Sequence, residues 1–201
     1  MNRNAWRAAL AYAALTMVFC YPFSVHLTGN LLSHGPDTDL WVWTIAWDLH
    51  ALLHRPWAMF DANIFFPFRH TLAYSENMIG SALLAAPIVW LTGNLLLAIN
   101  IVSLFSIAAS AVGARLLARR LGLSEVGALI AGLVFAFAPP RFLRIDQMHL
   151  TTIEWIPFSL AYLHAYFQSR RPRDLRLAVC FFTLQALTSG HGGAFLVLAL
   201  V

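Results

Sequence analysis

The chain contains no lysine; all 13 of its basic residues are arginine. Charged residues of both signs make up only 11% of it, against about 25% in an average soluble domain. That scarcity excludes a disordered segment and an ordinary soluble enzyme. Cysteine is almost absent as well. Cys20 and Cys180 lie far apart, each inside an apolar run, so they give no disulfide framework and no metal-ligand spacing. Each reads as a small packing residue. The formal net charge of +4 comes from arginines grouped at the ends of apolar segments, which excludes a nucleic-acid-binding domain.

What is abundant is apolar surface. Hydrophobic residues are 60% of the 201 and the mean hydropathy is +0.68, which points to an integral membrane protein. Arg3 and Arg7 precede an apolar stretch too long for a signal-peptide core and without a small-x-small cleavage site. The expected fold is all-α, a polytopic transmembrane helix bundle forming one domain over residues 1–201. Its spans are expected at about 8–25, 95–117, 126–138, 150–167 and 177–187, with outer loops at 26–94 and 139–149. Met78–Thr92 is apolar enough to cross, but the arginines oppose it. If it stays on the outer face, nine of the 13 arginines fall inside (Arg3, Arg7, Arg115, Arg119, Arg120, Arg170, Arg171, Arg173, Arg176) and the N-terminus is cytoplasmic.

This topology places most carboxylates and histidines on the outer side. Asp37 and Asp39 precede the segment Leu40–His50; Trp43, Trp47 and His50 within it, and His54 just after it, recur at helical spacing. That face is expected to lie flat in the membrane interface. By spacing alone Asp37 and Asp39 read first as helix caps and only second as candidates for chemistry. His34, His50, His54 and His70 have no compact ligand spacing and read as interfacial packing. In the second loop Arg141 and Arg144 are candidates to hold a lipid phosphate, with Asp146 or His149 orienting an acceptor or a metal. The bland alternative is an arginine pairing with headgroups or with Asp146. Glu154 is expected to pair with an arginine or to face a cavity. His191, within Ser189–Gly193, stays ambiguous.

The order of parts resembles the GT-C superfamily of membrane glycosyltransferases. The segments Phe60–Pro67, Thr71–Glu76, Ala114–Leu121 and Trp155–Pro157 resemble a group of large bacterial GT-C-like multi-pass proteins. The resemblance implies transfer of a sugar from a polyprenyl-phosphate donor to a hydroxyl acceptor at the non-cytoplasmic face of the inner membrane, with inversion. It implies a general base at Asp39, with Asp37 second, and a helper acid at Asp146 that a divalent cation, magnesium or manganese, would use. Glu76 joins the substrate-binding candidates through its place in the Thr71–Glu76 motif. Family members generally carry more spans, and this sequence stops inside the apolar run Ala194–Val201, so an N-terminal portion is expected. The rival expectation is a non-catalytic transporter or lipid-handling protein sharing the fold.

Overall fold

The structure, a computed structural model, describes residues 3–32 and 35–199. Among these, all regular structure is helical: α1 (Arg3–Phe19), α2 (Pro36–His54), α3 (Ile79–Thr92), α4 (Leu95–Arg120), α5 (Glu125–Phe137), α6 (Pro139–Leu143), α7 (Met148–Thr151), α8 (Trp155–Ser169), α9 (Pro172–Thr188) and α10 (Gly190–Leu198). Short 3-10 turns lie between α1 and α2 and between α2 and α3.

Helix α4 is the element on which the others pack, and its two ends are chemically marked. At its start, Gly93 takes a left-handed conformation (φ 67°) that ends α3. The Asn94 side chain then accepts a hydrogen bond from Leu97 N–H at 2.8 Å. At its far end, Arg115 and Arg119 both pair with Glu125 of α5, the latter at 3.4 Å. Arg120 lies 4.4 Å over the Tyr162 ring of α8. Small residues let the neighbouring helices close in. Gly132 of α5 sits where a side chain would collide with the Tyr12 hydroxyl and the Ala111 carbonyl. Tyr12 of α1 spans the same junction by donating to Leu129 O at 3.0 Å.

Two apolar clusters result. One joins α1, α4 and α5 through Tyr12, Cys20, Leu104, Ile107 and Ala136. The other joins α2, α3 and α4 through Trp41, Ile45, Leu49, Met78, Ala85 and Val102. The buried stripe of α2 is therefore Trp41–Ile45–Leu49. In the stripe read from the sequence, Trp43 stacks on Trp47 and His50 on His54, with Trp47 and His50 tilted against each other. Its tryptophans are partly covered by the chain itself, however: the Trp47 indole donates to Met59 O at 2.8 Å. The 19 residues of α2 thus carry two aromatic stripes, and the more deeply buried one is the one that faces the core.

Among the described residues, two segments, Leu95–Arg120 and Glu125–Leu143, are long and apolar enough to cross a membrane. The expected spans shift accordingly. The first helix stops at Phe19, and Cys20–Val25 forms turns in which the Ser24 hydroxyl donates to Met17 O. The expected helix at 150–167 begins only at Trp155, because Thr152 and Ile153 leave the helical path between α7 and α8. At 1.5 Å per residue, α5, α8 and α9, with 13, 15 and 17 residues, reach roughly 20–25 Å, less than the ~30 Å of a hydrocarbon core. The Met78–Thr92 segment is α3, which folds back along α4.

Asp48 is fully buried on the core side of α2. One carboxylate oxygen accepts Met78 N–H, the residue preceding α3, at 3.1 Å; the other has no partner. Burial raises its pKa to about 7, with the Met78 hydrogen bond opposing the rise. A raised carboxylate favours folding while it stays protonated, so the penalty begins above the unfolded-state pKa and is complete above about pH 7. A shift of this size corresponds to about 4 kcal/mol. Asp48→Asn keeps the acceptor without the charge. Its melting temperature in detergent is expected to exceed wild type at pH 8 and to converge with it near pH 4; parallel pH profiles would show that Asp48 is ionised in the fold.

Candidate functional site

The two expected outer loops meet at the first turn of α2. Gly35 precedes the helix and donates its N–H to the Thr38 hydroxyl at 3.2 Å, so neither aspartate caps the helix with its own side chain. Both sit in the first turn, where the helix dipole favours negative charge. Asp37 accepts a hydrogen bond from Gln147 Nε2 at 2.8 Å, and Gln147 Oε1 accepts one from Arg144 at 2.8 Å. This chain joins positions 110 residues apart. Asp146 packs on the other side of the same turn. A Cβ added to Gly35 would lie 2.8 Å from an Asp146 carboxylate oxygen, so only glycine admits this approach. Asp39 is exposed and makes no hydrogen bond with the described residues. Below the turn, Asp146, Thr38, Trp41, Asn100 and Ser103 line a cavity of about 30 Å³.

Glu76 and His149 adjoin this junction from the side. The Glu76 carboxylate accepts the Gly190 and His191 N–H groups at 2.7 and 3.1 Å and pairs with the His191 ring. It thereby caps the N-terminus of α10 from a segment 114 residues away. His149 is buried with its ring 4.2 Å from Trp41 and 5.4 Å from His191, and its Nδ1 has no partner. Burial lowers its pKa, against the pull of Glu76, which keeps the imidazole neutral at physiological pH. Its free ring nitrogen can then accept or donate one proton.

Arg141 turns away from the other candidates. It is buried, donating to the hydroxyls of Ser110 and Ser106 at 2.9 Å each and to the Thr151 carbonyl. The Ser106 hydroxyl in turn donates to Glu154 at 2.6 Å. Arg141 and Glu154, both buried, are therefore coupled through one serine rather than through a direct ion pair. Arg141 has no bond to Asp146, and the exposed Arg144 bonds Gln147 instead. No group of three or more His, Cys, Asp or Glu is placed to hold a metal among the described residues. Among the described residues Asp146 is the one carboxylate lining its cavity, with Gly35, Thr38, Trp41, Asn100 and Ser103 as polar company; this donor set does not fit a divalent cation. His34 lies outside the described residues. His50 and His54 stack on each other away from the site, and His70 pairs with Asp61 at 3.2 Å.

Reading by motif passed over the residues that assemble this region. Gln147 links the two loops. Asn100 fastens the preceding loop to α4, accepting Leu32 N–H at 3.1 Å and donating to Leu27 O at 2.8 Å. For Asn100 a signal existed. Asn100, Ser103, Ser106 and Ser110 recur every three or four residues along an otherwise apolar helix, one polar face that the packing turns toward Asp146 and Arg141.

Removing one partner of a buried charged network costs about 3–5 kcal/mol. Arg141→Met is expected to lower the melting temperature sharply, and Arg141→Met/Glu154→Gln to lose less than the sum of the single variants; additive losses would show two independent sites. Glu76→Ala is expected to free the α10 N-terminus and raise amide exchange at Gly190–Gly193 while leaving α4 protected, as read by hydrogen–deuterium exchange. Compared with family models, curated proteins and solved structures, the chain matches none.

Proposed function

We propose that this chain belongs to a multi-pass glycosyltransferase of the bacterial inner membrane, N-terminus cytoplasmic, that moves a sugar from a polyprenyl-phosphate donor to a hydroxyl acceptor on the non-cytoplasmic face. The observation that carries the proposal is the Asp37–Gln147–Arg144 chain. It puts an acidic helix start and an arginine from a distant loop at one exposed point, as a reaction between a phosphate leaving group and a hydroxyl nucleophile needs. Asp39 takes the acceptor proton, since its carboxylate is exposed and uncommitted. The acceptor oxygen bonds to the anomeric carbon from the face opposite the phosphate. The bond from that carbon to the phosphate oxygen breaks, its electron pair leaves with the polyprenyl phosphate, and the sugar is inverted. Arg144 has guanidinium nitrogens left for the departing phosphate. Arg141 serves by holding the loop that carries Arg144.

The rival transporter reading draws on Glu154 and Arg141, charges of the kind that mark pathways through a bundle. Here both are enclosed, and the cavity beside Arg141 measures about 20 Å³, room for about one water.

The test uses the protein in proteoliposomes with radiolabelled polyprenyl-phosphate hexoses. Asp39→Asn is expected to lose at least a hundredfold in transfer, the usual worth of a general base, with donor binding and melting temperature unchanged. Arg144→Ala is expected to weaken donor binding. Donor binding that is absent from folded wild type would overturn the proposal in favour of the non-catalytic reading.

A further inference from the structure

The segment between α2 and α3 folds as a lobe with two unlike sides. Its inner side is fixed. Leu72 N–H donates to Phe60 O at 3.1 Å, Met59 O accepts the Trp47 indole, and Ala62, Thr71 and Leu72 are buried. Its outer side carries aromatic rings with almost nothing over them: Trp57 is 97% exposed, Phe66 96% and Tyr74 88%, with Phe65 and Phe68 above 70%. Phe65 is held at φ 58°, a left-handed conformation rarely adopted by a bulky residue. Strain of that kind persists only where the surroundings impose it.

The charge on this side is of one sign. The guanidinium groups of Arg55 and Arg69 are exposed and make no hydrogen bond or ion pair with the described residues. The one carboxylate between Arg55 and Tyr74, Asp61, is occupied by His70, accepting its backbone N–H at 2.7 Å and lying 3.2 Å from its ring nitrogen. Exposed aromatic rings beside uncompensated arginines match the headgroup zone of a bilayer, where rings sit among glycerol and carbonyl groups and cations meet lipid phosphates. Between the lobe and α2 lies a cleft of about 580 Å³, lined by Leu40, Trp43, Ile64, Phe65, Leu72 and Tyr74. It is wide enough for part of a hydrocarbon chain.

We propose that residues 55–74 form a membrane-insertion surface for anionic phospholipid, with the rings of Trp57, Phe66 and Phe68 in the headgroup zone and Arg55 and Arg69 on lipid phosphates. The proposal rests on the reading of the chain as membrane-embedded and is independent of the transferase chemistry. It moves the interfacial contact from the Trp43–His54 face of α2, which the lobe partly covers, to the lobe itself.

The experiment places an environment-sensitive fluorophore at Phe66→Cys in a Cys180→Ser background, with Cys20 left buried. A second labelled variant, Ile130→Cys, reports from an exposed apolar position of α5. Both are reconstituted in nanodiscs of phosphatidylcholine with or without phosphatidylglycerol and with doxyl-labelled lipid as quencher. The expected result is loss of most of the emission at position 66 by the shallow quencher, a blue shift that grows with phosphatidylglycerol, and loss of that growth in Arg55→Gln/Arg69→Gln. Quenching at position 130 without quenching at 66 overturns this proposal and leaves the membrane reading standing. Absence of quenching at both positions overturns both. A shift at 66 that follows protein density and ignores doxyl lipid marks a contact between copies of the chain and also overturns it.

Discussion

A guanidinium enclosed by apolar helices must be met by acceptors, and the rest of the arrangement follows from where this chain supplies them. Arg141 finds its acceptors on α4, in the Ser106 and Ser110 hydroxyls, and on the backbone at Thr151. Two loop segments are thereby drawn against one helix. The residues between them, 142–150, have to form a compact turn at that level, and it is this turn that brings Gln147 to Asp37 and Asp146 to Gly35. Arg141 is thus the fixed point of the candidate site, although it touches none of its exposed groups. The serine between Arg141 and Glu154 also spreads the cost of burying two opposite charges over several hydrogen bonds.

Helix length reinforces this. Helix α4 has 26 residues, about 39 Å at the standard rise, whereas α5 ends after 13. The Pro139–Pro140 break after Ala138 therefore falls beside the middle of α4, at the level of Ser106 and Ser110, rather than at its end. Below that level the bundle is filled by apolar and small residues and closed by the Arg115–Glu125 pair. Above it, polar side chains become the connectors. Asp48 and Glu76 each meet backbone N–H groups at the start of a helix distant in sequence, α3 and α10 respectively, and Asn100 ties the chain after α1 to α4. In an environment that offers little water, such groups join segments that loose apolar packing would leave free to slide.

The helices were legible in the sequence because apolar length, asparagine and serine caps and proline breaks are local signals. Leu95–Arg120 and Glu125–Phe137 lie within a few residues of where composition and the arginines put them. The all-helical class follows from the same signals. The face of α2 was not legible: Trp41 and Trp43 head two stripes of similar apolar content, and the choice between them depends on Met78 and Val102, contacts that no window around α2 contains. The site was legible in its members more than in its geometry. Asp37 and Arg144 are joined through Gln147, whose neutral side chain carries no chemical signature, and Asp146 reaches the same turn at Gly35. Arg141 and Arg144 looked equivalent by spacing, and only the polar face of α4 distinguishes the inward one from the outward one.

That distinction bears on how such a site could work. A charge held by neutral hydroxyls inside a bundle cannot move to follow a reaction, since each displacement would leave a buried hydroxyl or carboxylate unmet. Arg144, itself exposed and held by a single side-chain hydrogen bond to Gln147, can. The fold therefore separates two tasks that one loop would otherwise share, rigid anchoring by Arg141 and adjustable contact by Arg144. Asp39 extends the same division within one helical turn. Asp37 is engaged and fixes the turn against the loop, and its neighbour two residues on is left unengaged, facing outward on the same first turn where the helix dipole steadies its charge.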